Sequence, residues 1–196
     1  MRNIKNFFLI TIIFFFSSNN LFSIEPDIFV QSTVNRASKV LSENISKEKK
    51  IEKLKNIAEE TVDIIGIGYY TLGPIRKTLN EDAKKKYTIL FKEYFLKSFS
   101  SRLAEYTNPE IDVNSKKKLN ENYTIVSSVL KGTNERPEVK IDWRIYTKNP
   151  SNPLIRDLII EGLSLVRTQK EEFSSIIQSN NGDINALFST LKEFIK

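Results

Sequence analysis

The chain has 196 residues, 40% of them hydrophobic and 28% charged, a composition typical of a folded globular domain rather than a disordered segment. It contains no histidine and no cysteine, which excludes Ser–His and Cys–His catalysis, thiol redox chemistry, disulfides and histidine-ligated metals. The formal net charge of +6 is mild, so it fits acidic partners without requiring nucleic acid.

The first 23 residues have the layout of a secretory signal peptide. Arg2 and Lys5 give a basic start, an apolar run covers 7–16, and Ser23 offers a small residue at a cleavage point. Roughly ten apolar residues are too few to cross a bilayer core of about 30 Å as a helix. We therefore predict that residues 1–23 are removed and that residues 24–196 form a single α+β domain. A buried amphipathic helix and an uncleaved anchor are the alternatives.

The next part of the chain is predicted to be helical. Apolar residues recur at three- and four-residue spacing over 27–44 and again over 51–58, which predicts two amphipathic helices, the second with a lysine-rich face. Residues 62–70 are apolar nearly all round, which indicates a buried segment. Gly66 and Gly68 within it lack the third glycine of a dinucleotide fingerprint and instead indicate a close approach between packed elements.

Asn80 is predicted to begin the longest helix. Its side chain suits an N-cap, and Glu81 and Asp82 follow near the positive end of the helix dipole. The helix carries a broad apolar stripe, which is ordinarily core but is also the kind of surface that a lipid cavity would need. The stripe consists of Tyr87, Phe91, Tyr94, Phe95, Phe99, Leu103 and Tyr106.

Strands follow the helices. Residues 123–130 are β-branched and aromatic, and residues 139–145 alternate cleanly between apolar and polar, as in a half-buried antiparallel strand. Residues 154–161 predict a third strand and 111–114 a fourth at the sheet edge. Helices before and after this run of strands predict an α+β domain with helices packed on one face of the sheet.

Two helices are predicted to end the chain. Apolar residues at helical spacing follow Gly162, Gly182 ends that helix, and Asp183 caps the last one.

Charged groups that stand out admit ordinary explanations. Asp157 and Glu161 share a strand face at even spacing, an arrangement typical of salt bridging or capping; an enzyme would need them as an acid/base pair. The lysine runs 84–86 and 116–118 are typical of a solvated face, and they are also candidate docking surfaces for acidic partners.

Several segments, taken in chain order, resemble one known family. They comprise Leu72-Gly73, Arg76, the helix start at Asn80, Phe91, Tyr94, Tyr106, the run Val-Lys-Ile-Asp-Trp-Arg at 139–144, the run Arg-Asp-Leu-Ile-Ile-Glu-Gly-Leu-Ser-Leu-Val at 156–166, and Phe173. This colinear set resembles the MlaC family of periplasmic phospholipid-binding proteins, the toluene-tolerance auxiliary proteins of an ABC transport system. Ile75, where the family often has Trp, and Tyr87, where it often has Phe, depart from the pattern.

The resemblance implies a fold and a function. The expected fold is nuclear-transport-factor-like or cystatin-like, with a curved antiparallel sheet of about four strands wrapped by helices around an apolar cavity. The expected function is that of a non-catalytic, monomeric periplasmic carrier. It would move phospholipid between an outer-membrane lipoprotein complex and an inner-membrane MCE-domain ABC transporter, and so maintain outer-membrane lipid asymmetry. No cofactor is implied apart from the diacyl phospholipid cargo.

An apolar interior fits this expectation. Two acyl chains expose on the order of 30 methylenes, and at about 0.8 kcal/mol each their transfer through water costs roughly 24 kcal/mol. The alternatives are a lipid-free secreted protein-binding module and a small-molecule enzyme on the same fold. The residues predicted to line the lipid cavity are Ile64, Ile67, Tyr70, Phe91, Phe95, Phe99, Ile125, Ile141, Trp143, Ile145, Ile159, Leu163 and Val166.

Overall fold

A computed structural model describes residues 23–134 and 136–196. The predicted signal peptide lies outside these residues, apart from Ser23 at its end. The described helices are α1 (Pro26–Ser42), α2 (Lys47–Thr61), α3 (Ile64–Thr71), α4 (Glu81–Leu103), α5 (Leu165–Ser179) and α6 (Ile184–Ile195), with a 3₁₀ helix at Gly73–Lys77. The described strands are β1 (Ile111–Asn120), β2 (Tyr123–Leu130), β3 (Val139–Tyr146), β4 (Leu154–Ile160) and β5 (Leu163–Ser164).

The strands form one open antiparallel sheet in the order β1-β2-β3-β4-β5. The predicted α+β architecture with an antiparallel sheet is thus confirmed. The count of about four strands omitted β5, a two-residue strand that pairs with β4 through a tight turn. Glu161 and Gly162 make this turn with φ values of 49° and 83°, the left-handed conformation that two-residue hairpins require.

Strand β1 is longer than the sequence pattern indicates. It continues past 114 to Asn120, and Lys116, Lys117 and Lys118 pair in register with β2. Because charged residues are common on edge strands, this lysine run does not end the strand.

Side-chain caps fix where several helices begin. The Asn80 side chain accepts a hydrogen bond from the Ala83 amide at 2.8 Å, as its sequence context predicts. The Ser164 hydroxyl accepts from the Arg167 amide at 3.0 Å and so starts α5 directly after β5.

Helix α4 lies at the centre of the helical layer, between α2, α3 and α6. The aromatic residues on it are therefore spread over several contacts instead of forming one stripe. Phe91 packs edge-on against Phe173 of α5 at 6.2 Å, and Tyr94 packs against Phe194 of α6 at 4.8 Å. A Cβ atom added at Gly68 would lie 2.8 Å from the Phe91 ring, so the predicted close approach at this glycine is present.

Tyr87 is fully buried at the α3–α4 contact. The Thr71 hydroxyl donates its proton to the Gly68 carbonyl at 2.8 Å, so the Tyr87 hydroxyl donates to Thr71 Oγ1 at 2.7 Å. Burial raises the pKa of Tyr87 above its ordinary value of 10.0.

Candidate functional site

An apolar cavity of about 280 Å³ lies between the sheet and the helices α1, α2 and α4. Most of its wall is aliphatic or aromatic, and hydroxyl groups and one guanidinium supply the polar part. Helix α1 contributes Thr33, Val34, Ala37, Ser38 and Leu41, and α2 with the residue after it contributes Leu54, Ile57, Ala58, Thr61 and Val62. Helix α4 and the loop after it contribute Phe99, Arg102, Leu103, Tyr106 and Pro109. The sheet contributes Ile111, Leu130, Ile141, Trp143, Ile155, Leu158 and Ile160, and the start of α5 contributes Leu165.

The cavity separates two clusters of buried apolar side chains. The main cluster includes Val34 and Trp143, and the second, between α1, α2 and the end of α4, includes Leu41 and Leu54. All four residues line the cavity. Protein interiors are normally close-packed, so an unfilled apolar space between two clusters indicates room for an apolar ligand.

The volume is large for a packing defect. It is about twice that of a roughly 150 Å³ engineered apolar cavity that stays dry and binds benzene. By the same comparison, 280 Å³ is small for two complete acyl chains.

Trp143 lies in the wall of the cavity on β3. Its indole Nε1 donates a hydrogen bond to the Ser128 hydroxyl at 2.8 Å, and that hydroxyl donates to the Ile141 carbonyl at 3.2 Å. The polar atom of the tryptophan is therefore satisfied within the sheet, and its ring remains available to the cavity. Trp143 is also the single tryptophan of the whole chain.

A β-bulge in β4 decides which of its side chains face the cavity. Arg144 of β3 pairs with Asp157, whereas the next residue, Ile145, pairs with Ile155, so that Arg156 is the extra residue. On either side of the bulge, Ile155 and Leu158 face the cavity. Without it, the simple alternation of a strand would turn Asp157 inward with Ile155.

Three of the thirteen predicted lipid-contacting residues line the cavity: Phe99, Ile141 and Trp143. Phe95 stacks on Phe99 with ring centroids 5.5 Å apart and thus supports the wall from behind.

The other predicted residues lie elsewhere in the described structure. Ile64, Phe91 and Ile145 are buried in the main cluster. Ile125 pairs with Arg144, and Ile159 pairs with Asp142, so both lie on the sheet face opposite the cavity. Leu163 is 70% exposed. Ile67, Tyr70 and Val166 border a separate cleft of about 330 Å³.

The cavity residues missing from the sequence-based set come mainly from α1, α2 and β4. The periodic apolar positions of 27–44 and 51–58 were visible in the sequence, but nothing there showed that those faces meet the sheet across a gap. In β4, the bulge at Arg156 changes which residues face the cavity, so strict alternation along the strand does not identify them.

The separate cleft contains a polar network. Arg156 donates to Asp63 Oδ2 at 2.6 Å and to the Tyr123 hydroxyl at 2.7 Å, and its guanidinium lies 3.9 Å from the centre of the Tyr146 ring. Asp157, 3% exposed, accepts from the Ser164 hydroxyl at 2.6 Å. It also accepts from the Val166 amide at 3.2 Å, near the start of α5. Asp157 therefore has the capping role typical of such a carboxylate.

The two lysine runs are partly occupied by contacts within the chain. Lys116 donates to Glu25 at 2.6 Å and to Asp27 at 2.8 Å, and these contacts raise the pKa of Lys116 and lower that of Asp27. Lys84 pairs with Glu81, and Lys86 lies over the Phe188 ring. These contacts leave fewer lysines for a docking surface than the sequence suggests.

A more polar pocket of about 540 Å³ adjoins the apolar cavity. Tyr106, Pro109 and Leu130 line both, so the two spaces meet at these residues. Asn108, in the loop beside them, has a φ of 47°, a left-handed conformation that asparagine tolerates better than most residues. The Ser38 hydroxyl donates to the Pro109 carbonyl at 3.1 Å and so holds α1 against this loop.

Two features found in other classes of protein are missing from the described residues. In this part of the chain, no cluster of three or more Asp or Glu side chains is arranged to hold a metal ion. Over the same residues, no helix has both the length and the apolar character that crossing a membrane requires.

The fold and the cavity define an α+β domain whose helices enclose an apolar space against an antiparallel sheet. A profile of the MlaC protein family matches residues 31–193, and the chain belongs to that family. The resemblance seen in the sequence is thereby confirmed.

A solved structure with a similar fold is the phospholipid-binding protein from Ralstonia solanacearum in complex with a phospholipid. The TM-score is 0.74 at 18% identity, and the match covers 88% of this chain and 97% of the other. At this identity the likeness concerns the fold. No curated protein matches the sequence.

Proposed function

We propose that this protein binds a diacyl phospholipid non-catalytically, with acyl chains in the cavity between α1, α2, α4 and the sheet. The observation that carries the proposal is the apolar cavity between two otherwise well-packed clusters. Membership of the MlaC family and the fold shared with a phospholipid-bound protein support it. Enclosing acyl-chain methylenes there offsets part of the roughly 24 kcal/mol that on the order of 30 methylenes cost in water.

The proposal extends to a place in the cell. Removal of residues 1–23 would release the domain into the periplasm. There it would carry phospholipid between an outer-membrane lipoprotein complex and an inner-membrane MCE-domain ABC transporter. The family and the signal-peptide layout support this route.

Intact-mass spectrometry tests both parts. The full chain is exported in a Gram-negative host, purified from the periplasm without detergent, and measured under native and denaturing conditions, followed by lipid extraction. Under denaturing conditions we expect the mass of a chain that begins at Ile24. Under native conditions we expect that mass increased by the mass of one diacyl phospholipid. A lipid-free protein that also takes up no phospholipid from vesicles would contradict the proposal and favour the protein-binding module.

The single tryptophan supplies a second test. Phospholipids brominated on the acyl chains quench tryptophan fluorescence on contact, and Trp143 lies in the cavity wall. Transfer of such a lipid from vesicles should quench the fluorescence, whereas the same lipid without bromine should not. Equal fluorescence with both lipids would place the chains elsewhere.

A further inference from the structure

Among the residues that the structure describes, the polar pocket that adjoins the apolar cavity has four charged lining residues, and three of them form ion pairs. Its charged lining residues are Glu105, Glu110, Lys131 and Arg136. Glu105 forms an ion pair with Lys47. Lys131 lies 3.2 Å from both Glu110 and Asp112, and these two carboxylates raise its pKa.

Arg136 differs from the other charged groups of this pocket. Within residues 23–134 and 136–196, it forms no salt bridge with a carboxylate. Its guanidinium instead lies over the ring of Tyr106, 5.3 Å from the centroid. A guanidinium on an aromatic face keeps its donors available and directed away from the ring.

Tyr106 connects the two spaces. Its side chain lines the apolar cavity as well as the polar pocket, and it is 36% exposed. An amphiphile whose tails occupy the cavity would therefore have its first polar group near Arg136. In a diacyl phospholipid that group is the phosphodiester, and guanidinium donors match phosphate oxygens in geometry and charge.

We propose that the polar pocket lined by Glu105, Arg136 and Pro137 is the headgroup subsite and that Arg136, held on the Tyr106 ring, binds the lipid phosphate. This inference rests on the proposed function, because it takes the cavity as the place of the acyl chains. It adds a residue that recognises phosphate and a direction for the lipid, with tails toward Trp143 and headgroup toward Arg136.

The test separates phosphate recognition from tail binding. Vesicles donate either a phospholipid or a diacylglycerol with the same brominated acyl chains, and quenching of Trp143 reports the affinity of the exported protein for each. We expect the wild-type protein to prefer the phospholipid by about tenfold, the size of one charge-assisted hydrogen bond. Arg136→Gln should reduce that preference to about one while diacylglycerol binding stays the same.

Arg167→Gln is the matched control. Arg167 is an exposed arginine on α5, outside both spaces, and its replacement removes the same charge. The control should retain the tenfold preference. A preference that survives in Arg136→Gln, or falls equally in Arg167→Gln, would overturn the proposal and leave tail binding intact. No quenching by either lipid in the wild-type protein would instead count against the proposed function itself.

Inorganic phosphate distinguishes a headgroup from a free anion. Titration of the lipid-free protein with phosphate, followed by calorimetry, should give no saturable binding, because the site needs the tails for affinity. Saturable binding that Arg136→Gln abolishes would assign the residue to a free phosphate and overturn the headgroup assignment.

Discussion

Arg156, the extra residue of the β4 bulge, donates a hydrogen bond from Nε to Asp63 Oδ2 at 2.6 Å. Asp63 is also the N-cap of α3, since its other carboxylate oxygen accepts from the Gly66 amide at 2.9 Å. Its own amide donates to the Ile155 carbonyl at 2.9 Å. The pair therefore fastens the α2–α3 junction to β4 beside Val62 and Ile155, two residues of the cavity wall.

Loss of either partner of this pair should destabilise the fold. Both side chains are partly buried, and we expect Arg156→Gln and Asp63→Asn each to lower the free energy of unfolding by about 1–3 kcal/mol. Urea unfolding measures the effect. The double variant should cost less than the sum of the single variants, and strict additivity would show that the two residues do not act together.

Filling the cavity should prevent lipid binding. Ala37 of α1 lines the space, and Ala37→Phe places a ring where we expect acyl chains. The variant should fold and carry little or no phospholipid in extraction assays. Ser32→Phe puts the same ring on the exposed face of the same helix and should retain the lipid content of the wild-type protein. Full lipid content in Ala37→Phe would show that the chains do not reach α1.

Neighbouring residues of β4 should respond in opposite ways because they lie on opposite faces of the strand, and the bulge decides which of them faces the cavity. Leu158 lines the cavity, whereas Ile159 pairs with Asp142 on the other face. Leu158→Asn introduces an amide that acyl chains cannot satisfy, and we expect it to reduce bound lipid several-fold. Ile159→Asn should leave the lipid content near that of the wild-type protein. Native mass spectrometry of both variants measures the ratio, and equal losses would contradict the assignment of faces.

Tyr87 should make stability fall at alkaline pH. Burial raises its pKa in the folded state, so above pH 10 the folded protein keeps a proton that the unfolded chain releases. The part of the free energy of unfolding that depends on protonated Tyr87 is fully present below pH 10 and is lost as the pH rises toward the folded-state pKa. The slope from this group is at most about 1.4 kcal/mol per pH unit.

Tyr87→Phe removes that titration and should flatten the decline of stability between pH 10 and pH 12, measured by urea unfolding. The variant also loses the hydrogen bond to Thr71, at a cost of about 1 kcal/mol at neutral pH. An unchanged slope in the variant would assign the alkaline sensitivity to other groups.

The sequence by itself determined the α+β class, most element boundaries and the family. Periodicity and capping residues are local properties, which is why the start of α4 after Asn80 and the extent of β2 were predictable. The run at 139–145 likewise identified the cavity-facing side of β3, since an unbroken strand alternates strictly.

Tertiary structure alone decided where the unfilled space lies. Phe91 and Ile145 are as apolar as Phe99 and Trp143, yet only the last two line the cavity. That difference depends on how far α1 and α2 stand from the sheet, a distance that hydrophobicity along the chain does not encode. The bulge at Arg156 acts in the same way: one extra residue, fixed by its contacts with Asp63 and two tyrosines, reverses the faces of Leu158 and Ile159.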